Sequence, residues 1–137
     1  MKRVFVDTDV CIDLLSGRQP FNSYAEKLFS LADRGRIKIC VSSLSFATID
    51  YILHSHYSVH NSRQLLAKFK TLVTVLPVDS RTIDLAIASD FGDFEDSIQY
   101  YTAIESGIEI LITRNTRDFK KSTIKVMNPE TYLIKII

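Results

Sequence analysis

The residues with the most chemistry to offer are four aspartates: Asp7, Asp93, Asp96 and Asp118. Asp7 ends an apolar run. Asp93 and Asp96 stand one helical turn apart. Asp118 lies in a late segment rich in Arg and Lys. Carboxylates drawn together repel and raise one another's pKa. A cation removes that conflict, and magnesium or manganese suits oxygen ligands completed by water and substrate phosphate. The chemistry this fits is phosphodiester hydrolysis, with the metal activating a water and neutralising charge in an in-line displacement.

Such a site exists only if the intervening elements bring the aspartates together. The chain has 137 residues, enough for one domain over residues 1–137. Val4–Val6 reads as a first strand, followed by a short helix that stops near Gly17. Pro20 is placed to start the next helix, where Tyr24, Ala25, Leu28, Phe29 and Ala32 share a face and Gly35 closes it. Ile37–Val41 is a second strand. Ser42 or Ser43 caps a helix to about His56, with Leu44, Ala47, Tyr51 and Ile52 on one face. A second apolar row, Phe46, Ile49 and Leu53, implies cover on both sides, by the next helix or by another subunit. Leu65, Leu66, Phe69, Leu72 and Val73 define that next helix.

Val73–Val78 reads as a third strand whose pairing Pro77 limits. Helices follow from Asp79 to about Ser89 and from Asp93 to Ser106, the latter ended by Gly107. Glu109–Thr113 is a buried strand and Lys125–Met127 a fifth. Pro129 starts a final helix. Alternating strands and helices imply a mainly parallel sheet with helices on both faces, where ligands bind beyond the carboxyl ends of the strands.

That topology predicts the convergence. Asp7 ends strand one at the carboxyl edge, and Asp118 follows the next-to-last strand at the same edge. The helix from Asp93 runs into that strand, so its first turn, with Asp93 and Asp96, also lies there. At about 100° per residue, Asp96 shares a face with Tyr100, Ala103 and Ile104, while Glu95 projects with Gln99 and Thr102 to a side expected to be solvated. Asp7, Asp96 and Asp118 should therefore meet, with Asp93 near enough to join. Each also has a plainer role available. Asp7 can begin a turn, Asp93 and Asp96 can serve as N-cap and N3 residues, and Asp118 can cap a turn or pair with Arg114 or Arg117.

The net charge of +1 does not announce a nucleic-acid binder. Its distribution says more: residues 79–96 are acidic, and residues 114–125 carry Arg114, Arg117, Lys120, Lys121 and Lys125 against Asp118. Two solvated faces give this pattern, as does a metal site beside a polyanion-binding rim. Cys11 and Cys40 lie in apolar runs without a CxxC and read as buried thiols. His54, His56 and His60 read as surface or dimer-contact residues. No signal peptide or run of transmembrane length is visible, which predicts a cytoplasmic protein without membrane association.

The motifs resemble the PIN-domain family, especially the small bacterial nucleases that include VapC-type toxins. Val4–Phe5–Val6–Asp7–Thr8–Asp9–Val10 resembles the family's opening, with Asp9 in place of the usual Asn. Phe94–Glu95–Asp96–Ser97–Ile98–Gln99 is similar to the segment with a later catalytic Asp. Ile112–Thr113–Arg114–Asn115–Thr116–Arg117–Asp118–Phe119 resembles the segment before the last strand. The resemblance covers nearly the whole chain. It implies a three-layer α/β/α sandwich with a central parallel sheet of about five strands. It further implies a Mg2+- or Mn2+-dependent ribonuclease, often a homodimer, that a cognate antitoxin holds inactive.

By that resemblance Asp7, Asp96 and Asp118 are the catalytic, metal-binding acids. Thr8, Thr113 and Asn115 are polar neighbours, and Arg114, Arg117, Lys120 and Lys121 contact RNA phosphates. One departure stands out: Thr48 occupies the position where many family members carry a Glu. A degenerate PIN domain that binds RNA or protein without cutting is the alternative this supports. A haloacid-dehalogenase-type phosphatase would use Asp7–Thr8–Asp9 and Gly92–Asp96, but its late acidic motif should follow a strand rather than open a helix. A signalling receiver would lack a phosphoacceptor after a central strand and a late Lys.

Overall fold

The computed structural model describes residues 2–136. Its strands are β1 (Arg3–Val6), β2 (Lys38–Ser42), β3 (Thr74–Leu76), β4 (Ile110–Ile112) and β5 (Lys125–Met127). Its helices are α1 (Thr8–Ser16), α2 (Asn22–Asp33), α3 (Ser43–Leu53), α4 (Val59–Leu72), α5 (Ser80–Ile87), α6 (Phe94–Glu105) and α7 (Pro129–Ile136), with a 3-10 turn at Thr116–Phe119. All five strands are parallel, in the order β3-β2-β1-β4-β5. The order reverses between β1 and β4, and a crevice opens there at the carboxyl edge of such a sheet.

Alternation along the strands assigns the two layers. Val4, Val6, Ile39, Val41, Ile110 and Ile112 face a core with residues of α1, α2, α3, α4 and α7. Phe5, Cys40 and Leu111 face the other way, toward Tyr100 and Ala103 of α6 and Phe119 of the 3-10 turn. The result is the expected α/β/α sandwich. Phe69 of α4 stands 5.7 Å from the rings of both Phe29 and Phe46, joining α2, α3 and α4. Truncating a ring so placed costs about 3–5 kcal/mol.

Helix starts follow from side-chain caps. Asp7, Ser42, Ser58, Asp79 and Asp93 each accept a backbone N–H at the head of the helix they precede. Gly17, Gly35 and Gly107 end helices in the left-handed region.

Three sequence-based expectations need correction. Helix α2 begins at Asn22, because Pro20 lies in the turn before it after a cis Gln19–Pro20 bond. The third strand is only Thr74–Leu76: α4 continues to Leu72 and Pro77 stops the ladder. The face of α6 expected to be solvated is so only at Glu95, since Gln99 and Thr102 are buried. On α3, Ile49 and Leu53 are covered but Tyr51 stays 79% exposed, so the chain alone covers one side of that helix. Both cysteines are buried and free, and burial pushes their thiols up. Among the described residues no helix is long and apolar enough to cross a membrane.

Candidate active site

Asp7 closes β1 and opens α1. Its backbone N–H donates to Ile112 O at 2.9 Å, so pairing with β4 runs right up to the crevice. The carboxylate is buried. Oδ1 accepts the Thr8 N–H at 2.8 Å and Oδ2 accepts the Thr113 hydroxyl at 2.8 Å. These donors do not offset desolvation. Burial first, then the charge of Asp9 and more weakly that of Asp96, push the Asp7 pKa up to about 8.

Asp9, in the first turn of α1, accepts the Arg114 N–H at 3.0 Å and lies 3.3 Å from the Thr113 hydroxyl. Burial raises its pKa, and the Arg114 contacts partly restrain it. Thr113 therefore stands between two carboxylates, one on each side of its hydroxyl. Its single proton serves one acceptor at a time, and the shorter contact is to Asp7. The Asn115 backbone N–H donates to the Thr113 oxygen at 3.1 Å.

Helix α6 brings the next acids. Asp93 caps it, its Oδ1 accepting the Asp96 N–H at 3.0 Å. That places Asp93 in the plainer role foreseen for it, with Oδ2 left over. Asp96 is half-buried. Desolvation, then the charges of Asp93, Asp118, Glu95 and Asp9, push its pKa up to about 7. Asp118 is exposed on the 3-10 turn. Asp96 thus feels acids from α1, α6 and the 3-10 turn at once.

Among the described residues no three acids, histidines or cysteines stand in ready ligand geometry. The donors nevertheless fit a hard cation. All are oxygens, Asp7 and Asp96 carry proton affinities raised by burial and by neighbouring acids, and magnesium commonly keeps several waters while using only one or two carboxylates.

A polar network that sequence reasoning missed lies directly behind Asp7. Gln99 of α6 donates through Nε2 to Thr8 Oγ1 at 2.6 Å and to Ser45 Oγ at 3.0 Å, and the two hydroxyls are 2.8 Å apart. Thr8 therefore acts behind the carboxylates and not among them. A glutamine on an amphipathic helix reads as solvent-facing, so only the buried Thr8 and Ser45 opposite it could have signalled otherwise.

The basic segment divides. Arg117, Lys120 and Lys121 line a groove of about 400 Å³ together with Asp90, Phe91, Gly92, Asp93 and Asp118. Lys121 Nζ lies 3.4 Å from Asp90. Arg114 is the exception to the expected rim. Its guanidinium pairs with Asp13, which is 1% exposed, and stacks 3.9 Å over the Phe21 ring. A carboxylate so buried needs a cation, and Arg114 supplies it. A larger cavity, about 820 Å³, lies away from the acids between α2 and α7. The three histidines are exposed, with His54 Nε2 3.2 Å from Asp50.

Comparison with known proteins agrees with this geometry. A family model described as PIN domain matches residues 3–117. The chain is 24% identical over 139 aligned positions to Ribonuclease VapC1 of Aquifex aeolicus, covering 96% of this chain and 93% of that one. It is similar in fold to the DNA-bound VapBC of Salmonella typhimurium, with a TM-score of 0.71, 17% identity, and coverage of 94% and 99% of the two chains. It is also similar to a toxin–antitoxin complex from Klebsiella pneumoniae, with a TM-score of 0.69, 22% identity, and coverage of 92% and 97%.

Proposed function

The chain belongs to the PIN-domain family, and from that premise we propose that it is a divalent-metal-dependent endoribonuclease, the toxin of a toxin–antitoxin pair. The reading is supported by Asp7 at the end of β1 and Asp96 in the first turn of α6, whose pKa values are pushed up to about 8 and 7 by burial and by neighbouring acids, Asp118 among those acting on Asp96.

Bound Mg2+ or Mn2+ would supply an activated water and charge neutralisation at the scissile phosphate. Asp7, Asp96 and Asp118 would hold it, with Asp93 Oδ2 within the same acidic group. Thr113 fixes the orientation of the Asp7 carboxylate. Gln99, Thr8 and Ser45 lock α1, α3 and α6 together behind it. Arg117, Lys120 and Lys121 then lie along the path of the RNA backbone, giving affinity without sequence choice. Asn115, exposed at the head of the 3-10 turn, is a polar neighbour of that path.

Two partners follow. The similar solved structures include toxin–antitoxin complexes, which supports a cognate antitoxin. The uncovered Tyr51 side of α3 supports a second copy of the chain, in a cytoplasmic homodimer. The late acidic motif opens α6, and no strand precedes it after α5, which leaves the phosphatase alternative without its required placement. The non-cutting PIN domain keeps one observation in its favour, the hydroxyl of Thr48 where a carboxylate would serve.

The chemistry is tested with a labelled RNA and its fully 2′-O-methylated counterpart. A water activated at the acids needs no ribose hydroxyl, so both should be cut with Mn2+ present. Cleavage restricted to the unmodified RNA would mean attack by the 2′-hydroxyl and would contradict the proposed mechanism.

A further inference from the structure

The connection from α5 to α6 carries an aromatic ring, Phe91, between two acids, Asp90 and Asp93. Its place is fixed from behind. The Phe91 N–H donates to Ser89 Oγ at 3.4 Å, and that hydroxyl donates to Ala86 O of α5 at 2.7 Å. The ring centroid lies 5.1 Å from Tyr100 and 5.9 Å from Phe119, both buried, and 6.3 Å from Tyr101. Tyr100 is tilted 36° to it, while Tyr101 and Phe119 meet it edge-on. Offset and edge-to-face pairs are the arrangements aromatic rings prefer. Tyr100 is itself held, since its hydroxyl lies 2.9 Å from Thr123 Oγ1 and accepts the Thr123 N–H at 3.0 Å.

Phe91 is nevertheless only half-buried, and it lines the groove of about 400 Å³ with Arg117, Lys120 and Lys121. Among the described residues it is the groove's only apolar side chain. A ligand that suits this lining has phosphates for the cations and a flat apolar part for the ring. A nucleotide has both. Every base presents a π-face, and a basic groove with an aromatic platform is a general way to hold a single strand. A base inside a helix is already stacked, so the ring selects an unpaired one. We propose that Phe91 is a base-stacking platform, taking the face of an unpaired nucleobase while Arg117, Lys120 and Lys121 hold the phosphates beside it. The inference deepens the ribonuclease reading above and rests on it. The rings of Tyr100, Tyr101 and Phe119 set the angle of the platform before RNA arrives, so little side-chain freedom is lost on binding.

The test is binding of two short strands to the purified full chain in EDTA. One is oligoadenylate. The other has the same length and phosphates but abasic riboses. Phe91→Leu keeps an apolar side chain against Tyr100 and Phe119 and removes the π-face. It should weaken oligoadenylate binding about tenfold, within the range for one base–aromatic stack. Affinity for the abasic strand, which rests on phosphate contacts, should not change. A role in packing alone would lower both affinities together or neither. Phe91→Trp gives a second readout that keeps the ring. The chain has no Trp of its own, so the new indole's fluorescence should be quenched by oligoadenylate and not by the abasic strand. If Phe91→Leu fails to fold, the indole decides. Equal losses on the two strands, no loss on oligoadenylate, or an indole that bound oligoadenylate does not quench overturns the inference. Failure of the unaltered chain to bind either strand would instead remove the RNA reading itself, and the platform with it.

Discussion

The guanidinium of Arg114 lies flat against Asp13, with Nε and Nη2 2.6 Å and 3.2 Å from its two carboxylate oxygens. This pair ties α1, which begins at Asp7, to the segment that leaves β4 and carries Asp118. The start of α1 and the segment carrying Asp118 are thus tied together by a pair that does not line the groove. A bidentate, largely buried pair of this kind adds orientation as well as energy.

Arg114→Ala should therefore act on folding before it acts on RNA. Leaving Asp13 buried without its main partner is expected to cost about 3 kcal/mol, read from urea unfolding. Lys120→Ala should stay within about 0.5 kcal/mol of the parent. It should instead flatten the salt dependence of RNA binding, a slope that counts phosphate contacts. A stable Arg114→Ala protein with a flattened salt slope would return Arg114 to the RNA groove.

Most of the frame was legible in the residues because it depends on local rules. Val4–Val6 and Glu109–Thr113 are apolar runs ended by polar residues, and the helices between them carry caps and glycine stops at their boundaries. Once the strands are parallel, Asp7, Asp96 and Asp118 share an edge by topology alone. What could not be read depends on tertiary contacts. Asp13 looks like any surface acid of an amphipathic helix until Arg114 folds over Phe21 to meet it. Gln99 falls on a polar face by periodicity, and it acquires its meaning only from Thr8 and Ser45 across the sheet edge.

The metal-free protein should lose stability as pH rises. Asp7 and Asp96 have folded pKa values of about 8 and 7 against an ordinary aspartate value of 3.8. Between those limits the folded state binds protons that the unfolded state has released. Their contribution is thus fully present below about pH 4 and lost as pH climbs through 7 and 8. Melting in EDTA should show a Tm that falls from pH 6 to pH 8.5, with a shallower fall in Asp7→Asn. Excess Mn2+ should reverse the trend, because the cation competes with those protons. A Tm that rises with pH in EDTA would mean that the acids are already compensated.

Asp96→Asn separates catalysis from folding. It removes a repelled charge, so the metal-free variant should melt at or above the parent temperature at pH 8. It should also cut no RNA. Retained Mn2+-dependent cleavage in a contaminant-free preparation would exclude Asp96 from the catalytic set.

Thr113→Val deletes the hydroxyl that orients Asp7 while keeping the side chain's size. Losing a hydrogen bond to a buried carboxylate should cost about 2 kcal/mol. That bond also restrains the Asp7 pKa, so without it the proton is held more tightly and Mn2+ binding should move to higher pH. Calorimetry from pH 6.5 to 8.5 reads the shift. An unchanged pH profile would show that Thr113 does not set the state of Asp7.

The central claim is tested most directly by cleavage of a labelled single-stranded RNA with Mn2+, beside EDTA and an Asp7→Asn control. The account predicts discrete products with the unaltered protein and Mn2+, none in EDTA, and none from Asp7→Asn. Equal cleavage by Asp7→Asn, or no cleavage of several RNAs together with no Mn2+ binding, would contradict it.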